Sequence, residues 1–178
     1  MRTLKEALPG DCVEFKREGK WNSADLYLAR LLKWFRPKWD MWGWHVALIT
    51  EYQPGTGWMI LDTNMKEVNE VPLSNYKDKE FRVWRWLDEP PSPSKMAEYV
   101  FKHTGEKYDV MIYFYTLAWA ICREKFGFEI PRILDKSWSC WETPTWMWLR
   151  MGKELIPEAD YPLLSDITSK CKLVKETL

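Results

Sequence analysis

Apart from one early helical stretch, the chain from Pro9 to Leu87 is a series of short alternating segments separated by turns, and helical periodicity dominates only after Ser94. That order constrains the fold more than any other feature. Pro9-Gly10-Asp11 is a turn, and Cys12-Val13-Glu14-Phe15 alternates as a short strand. His45-Val46-Ala47-Leu48-Ile49-Thr50 is a β-branched, apolar strand opening on a histidine. Gln53-Pro54-Gly55-Thr56-Gly57 turns the chain, and Trp58-Met59-Ile60-Leu61-Asp62 returns beside it. After a polar loop, Phe81 to Leu87 sets Arg82/Trp84/Trp86 on one face and Phe81/Val83/Arg85 on the other. Residues 88–93 are a proline-rich break. Ser94 then opens a helix through about Lys102 that Gly105 ends, and Val110 to about Lys125 is a second helix, apolar nearly all round and so buried. A third helix follows Cys140. From Pro157 onward the chain reads as turns plus a short polar helix near Ser165 to Lys170. Strands first and helices after imply an α+β domain, with an antiparallel sheet packed against helices.

The early helix is capped by Asn22 or Ser23 and closed by Pro37, with Leu28, Leu31, Leu32 and Phe35 on one stripe. Such a stripe packs on a core. Its basic residues and its tryptophans near the end also fit a lid or a membrane-surface helix.

With 178 residues, 46% of them apolar, residues 1–178 form one globular domain with a sizeable core. Lys+Arg and Asp+Glu number 26 each, so charge gives no support to nucleic acid as a partner. Cys12, Cys122, Cys140 and Cys171 are far apart, with no CxxC or Cys/His ligand spacing, so neither a structural metal nor another cofactor is expected. No stretch approaches the length of a membrane span, and Met1 to Glu6 lack the apolar run of a signal peptide. A cytoplasmic protein with reduced thiols is expected. Nothing in the pattern sets an oligomeric state. The 13 tryptophans are either core bulk or the walls of an apolar groove.

Cys140 is the residue richest in chemistry. Ser139 and Glu142 have the S-x-x-E spacing of a capping box, which puts Cys140 at the start of a helix. Unpaired N–H groups and the positive end of the helix dipole favour thiolate there, the nucleophilic form. A small buried hydrophobe is the alternative for a free cysteine. Pro144 would strain a helix begun at Cys140, but fits one begun at Thr143, which would leave Cys140 just ahead of it. A cysteine nucleophile needs a base. Of the two histidines, His103 sits at a helix end beside Lys102, where solvent or the helix dipole explains it; His45, at the edge of an apolar strand, is the candidate. A turn centred on Gln53-Pro54 places Asp62 directly opposite His45, close enough to orient the imidazole. A slip of one residue would substitute Thr63; Glu51 and Asn64 are the other possibilities.

Taken in order, these pieces resemble the circularly permuted NlpC-type cysteine peptidases, the papain-like group that includes the YiiX-like proteins and the lecithin:retinol acyltransferase relatives. The matching residues are Pro9-Gly10-Asp11-Cys12-Val13-Glu14-Phe15, Trp44-His45-Val46-Ala47-Leu48-Ile49, Ile60-Leu61-Asp62, the Gly105 to Asp109 turn with its Tyr108-Asp109, Ser139-Cys140-Trp141-Glu142 and Ser165-Asp166-Ile167. Histidine before cysteine is the order that permutation produces. The resemblance implies a permuted papain-like fold, with Cys140 as nucleophile, His45 as base and Asp62 as the orienting residue. Trp44, Trp138 and Trp141 flank these positions as substrate-binding candidates. Many relatives begin the nucleophile helix with Cys-Ser-Glu, where this chain has Trp141 in second place. The implied activity is hydrolysis of an amide in a peptide or cell-wall-type peptide. The lipid-handling relatives, with Trp34, Trp39, Trp42 and Trp44 near the histidine, point instead to an acyl ester or thioester. A binding module without catalysis is the third reading.

Overall fold

A computed structural model describes Leu4 and residues 6–16, Arg30, Trp34, 42–63, 66–86, 89–107, Tyr115, 118–119, 121–128, Cys140, 142–150, 152–153, 167–168 and 170–176. For Trp44, Glu124, Glu142 and Glu176 this covers the backbone alone. Six strands form one antiparallel sheet: β1 (Cys12–Lys16), β2 (Gly43–Gln53), β3 (Gly57–Thr63), β4 (Val68–Pro72), β5 (Phe81–Arg85) and β6 (Lys172–Glu176). Their spatial order is β4-β3-β2-β1-β5-β6. Helices α1 (Pro93–His103) and α2 (Glu142–Arg150) pack on one face of it, giving an α+β architecture.

The alternation of the strands divides the core in two. Cys12, Val46, Leu48, Leu61 and Val68 face the helices and pack with Met96 and Tyr99 of α1 and Met147 and Trp148 of α2. Val13, Phe15, Ala47, Ile49, Ile60 and Val83 face the other way and pack with Leu4, Ala7 and Leu73. Each fully buried side chain of this size contributes about 1.5–3 kcal/mol. α1 begins one residue before Ser94, with the Ser92 hydroxyl accepting from the Lys95 amide and Pro93 in the first turn, where a missing N–H costs nothing. Its far end is tied to the sheet: the Gly105 amide donates to the Val68 carbonyl at 2.8 Å and the Val68 amide to Glu106 at 2.9 Å.

Four readings of the sequence need correction. The polar loop before Phe81 contains β4 and a 3-10 turn (Leu73–Tyr76), and the C-terminal segment forms β6. Both are edge strands, Val-Asn-Glu-Val-Pro and Lys-Leu-Val-Lys-Glu, whose charged residues blunt a sheet edge and dilute the strand pattern. β5 ends at Arg85, and Trp86 lies in a bend. His103 is not solvated: its ring turns inward, packs 4.5 Å from Tyr99 and bonds Glu106 at 2.9 Å. Of the early helix only Arg30 and Trp34 are described, both helical. The Val110–Lys125 segment is described in part; Trp119 is buried, and a π turn (Cys122–Phe126) closes on Gly127 at φ 70°.

Asp11 anchors the turn that starts the sheet. Its carboxylate accepts from Nε and Nη2 of Arg85, both at 2.8 Å, and from the Leu8 amide at 2.8 Å. Gly10 has φ 93°, and a Cβ there would meet Pro91 and Trp148 at 2.8 Å. Asp11→Ala strands a nearly buried guanidinium, and urea denaturation should show a loss of about 3–5 kcal/mol. A loss near zero would mean that the pair is not formed in solution.

Candidate active site

β2 and β3 present His45 and Asp62 on one face of the sheet, but not in the expected register. The turn uses Pro54, Gly55 and Thr56, so Gln53 faces Gly57 and Tyr52 faces Trp58. A bulge between Ile49 and Glu51 then shifts the pairing, giving Ile49–Ile60 and Leu48–Leu61. Continued along the strands, this register puts Ala47 across from Asp62, with His45 diagonal to it. Diagonal neighbours remain within reach of long side chains. Asp62 Oδ1 lies 2.5 Å from His45 Nε2.

The carboxylate is held from its other oxygen as well. Tyr76, from the 3-10 turn after β4, donates its hydroxyl to Asp62 Oδ2 at 2.5 Å. Phe15, paired with His45 across β1 and β2, stacks on the imidazole at 5.7 Å and lies tilted against the Tyr76 ring at 4.6 Å. The ring is thus fixed by a carboxylate at its edge and a phenyl on its face. Sequence reasoning missed Tyr76 and the part played by Phe15. The odd position of Phe15 in β1 marks it as sharing a face with His45, whereas nothing in the 3-10 segment marks Tyr76.

Electrostatics follow from these contacts. Burial opposes charge on His45, but hydrogen bonds to Asp62 and to Cys140, and the negative charges of both, push its pKa from 6.5 up to about 10. Burial also opposes ionisation of Asp62, yet the bond and charge of His45, followed by the Tyr76 hydroxyl, hold its pKa below the ordinary value. Burial and Asp62 together push the Tyr76 phenol well up, so it stays a donor. With Nε2 engaged by Asp62, Nδ1 is the nitrogen that remains for a second partner.

Cys140 lies in a turn two residues ahead of the first helical residue, Glu142, rather than at the first helical position. Pro144 accounts for this: as third residue of α2 its absent N–H falls where no partner is needed. Ser139 lies outside the described residues, as does the side chain of Glu142, so the capping box does too. α2 is pinned at this end by Thr143, whose hydroxyl pairs with Thr63 Oγ1 at 2.7 Å and whose carbonyl accepts from Tyr99 at 2.9 Å. Thr63, an alternative orienting residue, therefore anchors the cysteine helix. Glu51 is exposed and bonded to Gln53, and Asn64 lies outside the described residues.

Cys140 belongs to the cluster beneath the helices, whereas His45 lies on the other face beside Phe15. Cys140 is nevertheless near enough to help raise the His45 pKa at the beginning of β2, where His45 is the third residue. The cysteine is 2% exposed, so a substrate carbonyl reaches its sulfur only if neighbouring chain moves aside. Burial, then Cys171 and Asp11, raise Cys12 well above its usual value; burial, then Asp11, push Cys171 up to about 12. All four cysteines are free, and among the described residues no group of three or more His, Cys, Asp or Glu could hold a metal. No helix among the described residues is long and apolar enough to cross a membrane.

The side chain of Trp44 and all of Trp39, Trp138 and Trp141 lie outside the described residues. Trp34 is exposed, and Trp42 lies under the Arg82 guanidinium at 4.0 Å. Comparison with known proteins finds no matching family model and no matching curated protein.

Two predictions follow from the relay. Tyr76→Phe removes a donor from Asp62, and NMR titration should show the Asp62 pKa rising toward its ordinary value; an unchanged titration would contradict the contact. Because the His45 pKa is raised, its pairing with ionised Asp62 stabilises the fold fully below about 6.5 and is lost as pH rises through about 10. The urea-midpoint deficit of Asp62→Asn should therefore be largest between about pH 4 and 6.5 and shrink toward pH 10.

Proposed function

We propose that the protein is a cysteine hydrolase that cleaves an amide bond, on a permuted papain-like fold. The observation that supports this best is an imidazole bonded to Asp62 at 2.5 Å, with Cys140 near enough to help raise its pKa. Sulfur, imidazole and carboxylate in that sequence are what activated-thiol chemistry requires. The order histidine first and cysteine last, read with the resemblance to permuted NlpC-type peptidases, gives peptide or cell-wall-type peptide amides as the substrate class.

In this mechanism Cys140 and His45 rest as a thiolate–imidazolium pair. The sulfur attacks the substrate carbonyl carbon, and negative charge moves to the carbonyl oxygen. The Cys140 backbone N–H supplies one donor to that oxygen. As the tetrahedral intermediate collapses, the C–N bond breaks, His45 passes its proton to the departing amine, and an acyl-enzyme remains. His45 then takes a proton from water, whose oxygen attacks the thioester, and Cys140 leaves as thiolate. Asp62 keeps the ring oriented and favours its charged form. The site would work without a cofactor.

The test is turnover on a panel of peptidoglycan-stem peptides set beside a panel of lipid esters and thioesters. Peptide release is expected, falling about 10²–10⁴-fold in His45→Ala and to background in Cys140→Ala. Turnover confined to the esters would replace the amide reading with an acyl-ester hydrolase or transferase. Turnover on either panel that survives Cys140→Ala would exclude the thiol mechanism altogether.

A further inference from the structure

At the end of β2 remote from His45 the structure contains a concavity roofed by α1. It encloses about 750 Å³ between α1 and the strands, inside the range of small-molecule sites. Met96, Ala97 and Val100 form the helix side, Trp58 lies on the β3 side, and Phe101 and Tyr52 belong to the same lining. Phe101 is 88% exposed and Tyr52 59%, large aromatic surfaces that the fold itself does not cover. Thr50 is five residues along β2 from His45, on the order of 17 Å at strand rise, too far to serve the scissile bond.

The charge of the cleft selects its occupant. Glu51 and Glu70 line it, and among the described residues no lysine, arginine or histidine does. The bulge that resets the β2–β3 register leaves both Thr50 and Glu51 facing this cleft. The Thr50 hydroxyl, itself buried, donates to Glu70 Oε1 at 2.6 Å and fixes that half-buried carboxylate in the wall. The Gln53 amide donates to Glu51 at 2.5 Å. Both donors are neutral, and the two carboxylates share the cleft with the apolar side chains of α1. A cation matches the carboxylates.

We propose that this cleft is a second binding site, for a primary ammonium carried on an apolar body. The aliphatic or aromatic part lies against Met96, Val100 and Phe101, and the ammonium sits at Glu70 with Glu51 beside it. The ligand is either a free hydrophobic amine or a lysine side chain flanked by apolar residues, and the chemistry is the same. The site stands apart from the proposed hydrolase chemistry, so binding should be unchanged in Cys140→Ala.

Two probes distinguish the sources: dansylcadaverine for a free amine, and acetyl-Trp-Lys-Phe-amide for a lysine side chain, each compared with its N-acetylated form. Fluorescence titration of the whole chain should show saturable binding of at least one, with Kd below ~1 mM. Acetylation of the amine should weaken it by about tenfold or more, and Glu70→Gln should weaken the amine by a similar factor but leave the acetylated probe unaffected. Ala97 is exposed on α1, so Ala97→Trp should fold and fill the cleft, abolishing binding; Phe101→Ser, a surface change, provides a second variant that should weaken both forms. No saturable binding of either probe, equal binding of amine and acetylated forms, or indifference to both Glu70→Gln and Phe101→Ser would overturn the proposal.

Discussion

The site depends on one imidazole being gripped from two sides. Left alone in a half-buried position, His45 would lose its proton readily, because burial disfavours the imidazolium. The carboxylate of Asp62 reverses that preference, and Asp62 can do so only because Tyr76 and the strand backbone keep it aimed at Nε2. The contact is diagonal across an antiparallel pair, so the β2–β3 register has to be right over several residues for it to form at all. In this sense the sheet acts as the positioning device. β1 supplies Phe15 to the ring face, β3 supplies the carboxylate, and the turn beyond β4 supplies the phenol.

The sulfur is positioned by different means. α2 is tied to β3 through the buried Thr63–Thr143 pair and to α1 through the Tyr99 hydroxyl. Both bonds fall in the first turn of α2, three residues after Cys140, so they fix the cysteine against the sheet more effectively than contacts farther along the helix could. Hydrophobic packing of Met147 and Trp148 holds the helix to the sheet, but packing is tolerant of small slides. Directional hydrogen bonds at the helix start are not.

The main strands were legible because β1, β2, β3 and β5 bury one or both faces and therefore alternate or run apolar. The edge strands were not: Asn69 and Glu70 in β4, and Lys172 and Lys175 in β6, follow the needs of an open edge rather than of a core. The pairing of His45 with Asp62 was anticipated through a register that is off. A three-residue turn displaces the pairing by three from a turn centred on Gln53-Pro54, and the bulge takes one back. An even net slip preserves the face of every side chain, so the two residues still share it, now diagonally. Turn length and bulges are set by tertiary context that local pattern does not carry. Tyr76 was out of reach for the same reason, since its closeness to Asp62 exists only once β4 has folded back along β3.

The proposed pairing of the Cys140 sulfur with the His45 ring is tested most directly by alkylation. Iodoacetamide labelling of Cys140, followed by peptide mass spectrometry at pH 6 and pH 9, gives a rate ratio from which access to the buried sulfur cancels. An isolated thiol loses reactivity about tenfold per pH unit once below its ordinary pKa. An imidazolium partner should keep the pH 6 rate within a small factor of the pH 9 rate, and His45→Ala should restore the steep fall. The same steep fall in both proteins would show that the sulfur and the ring do not interact.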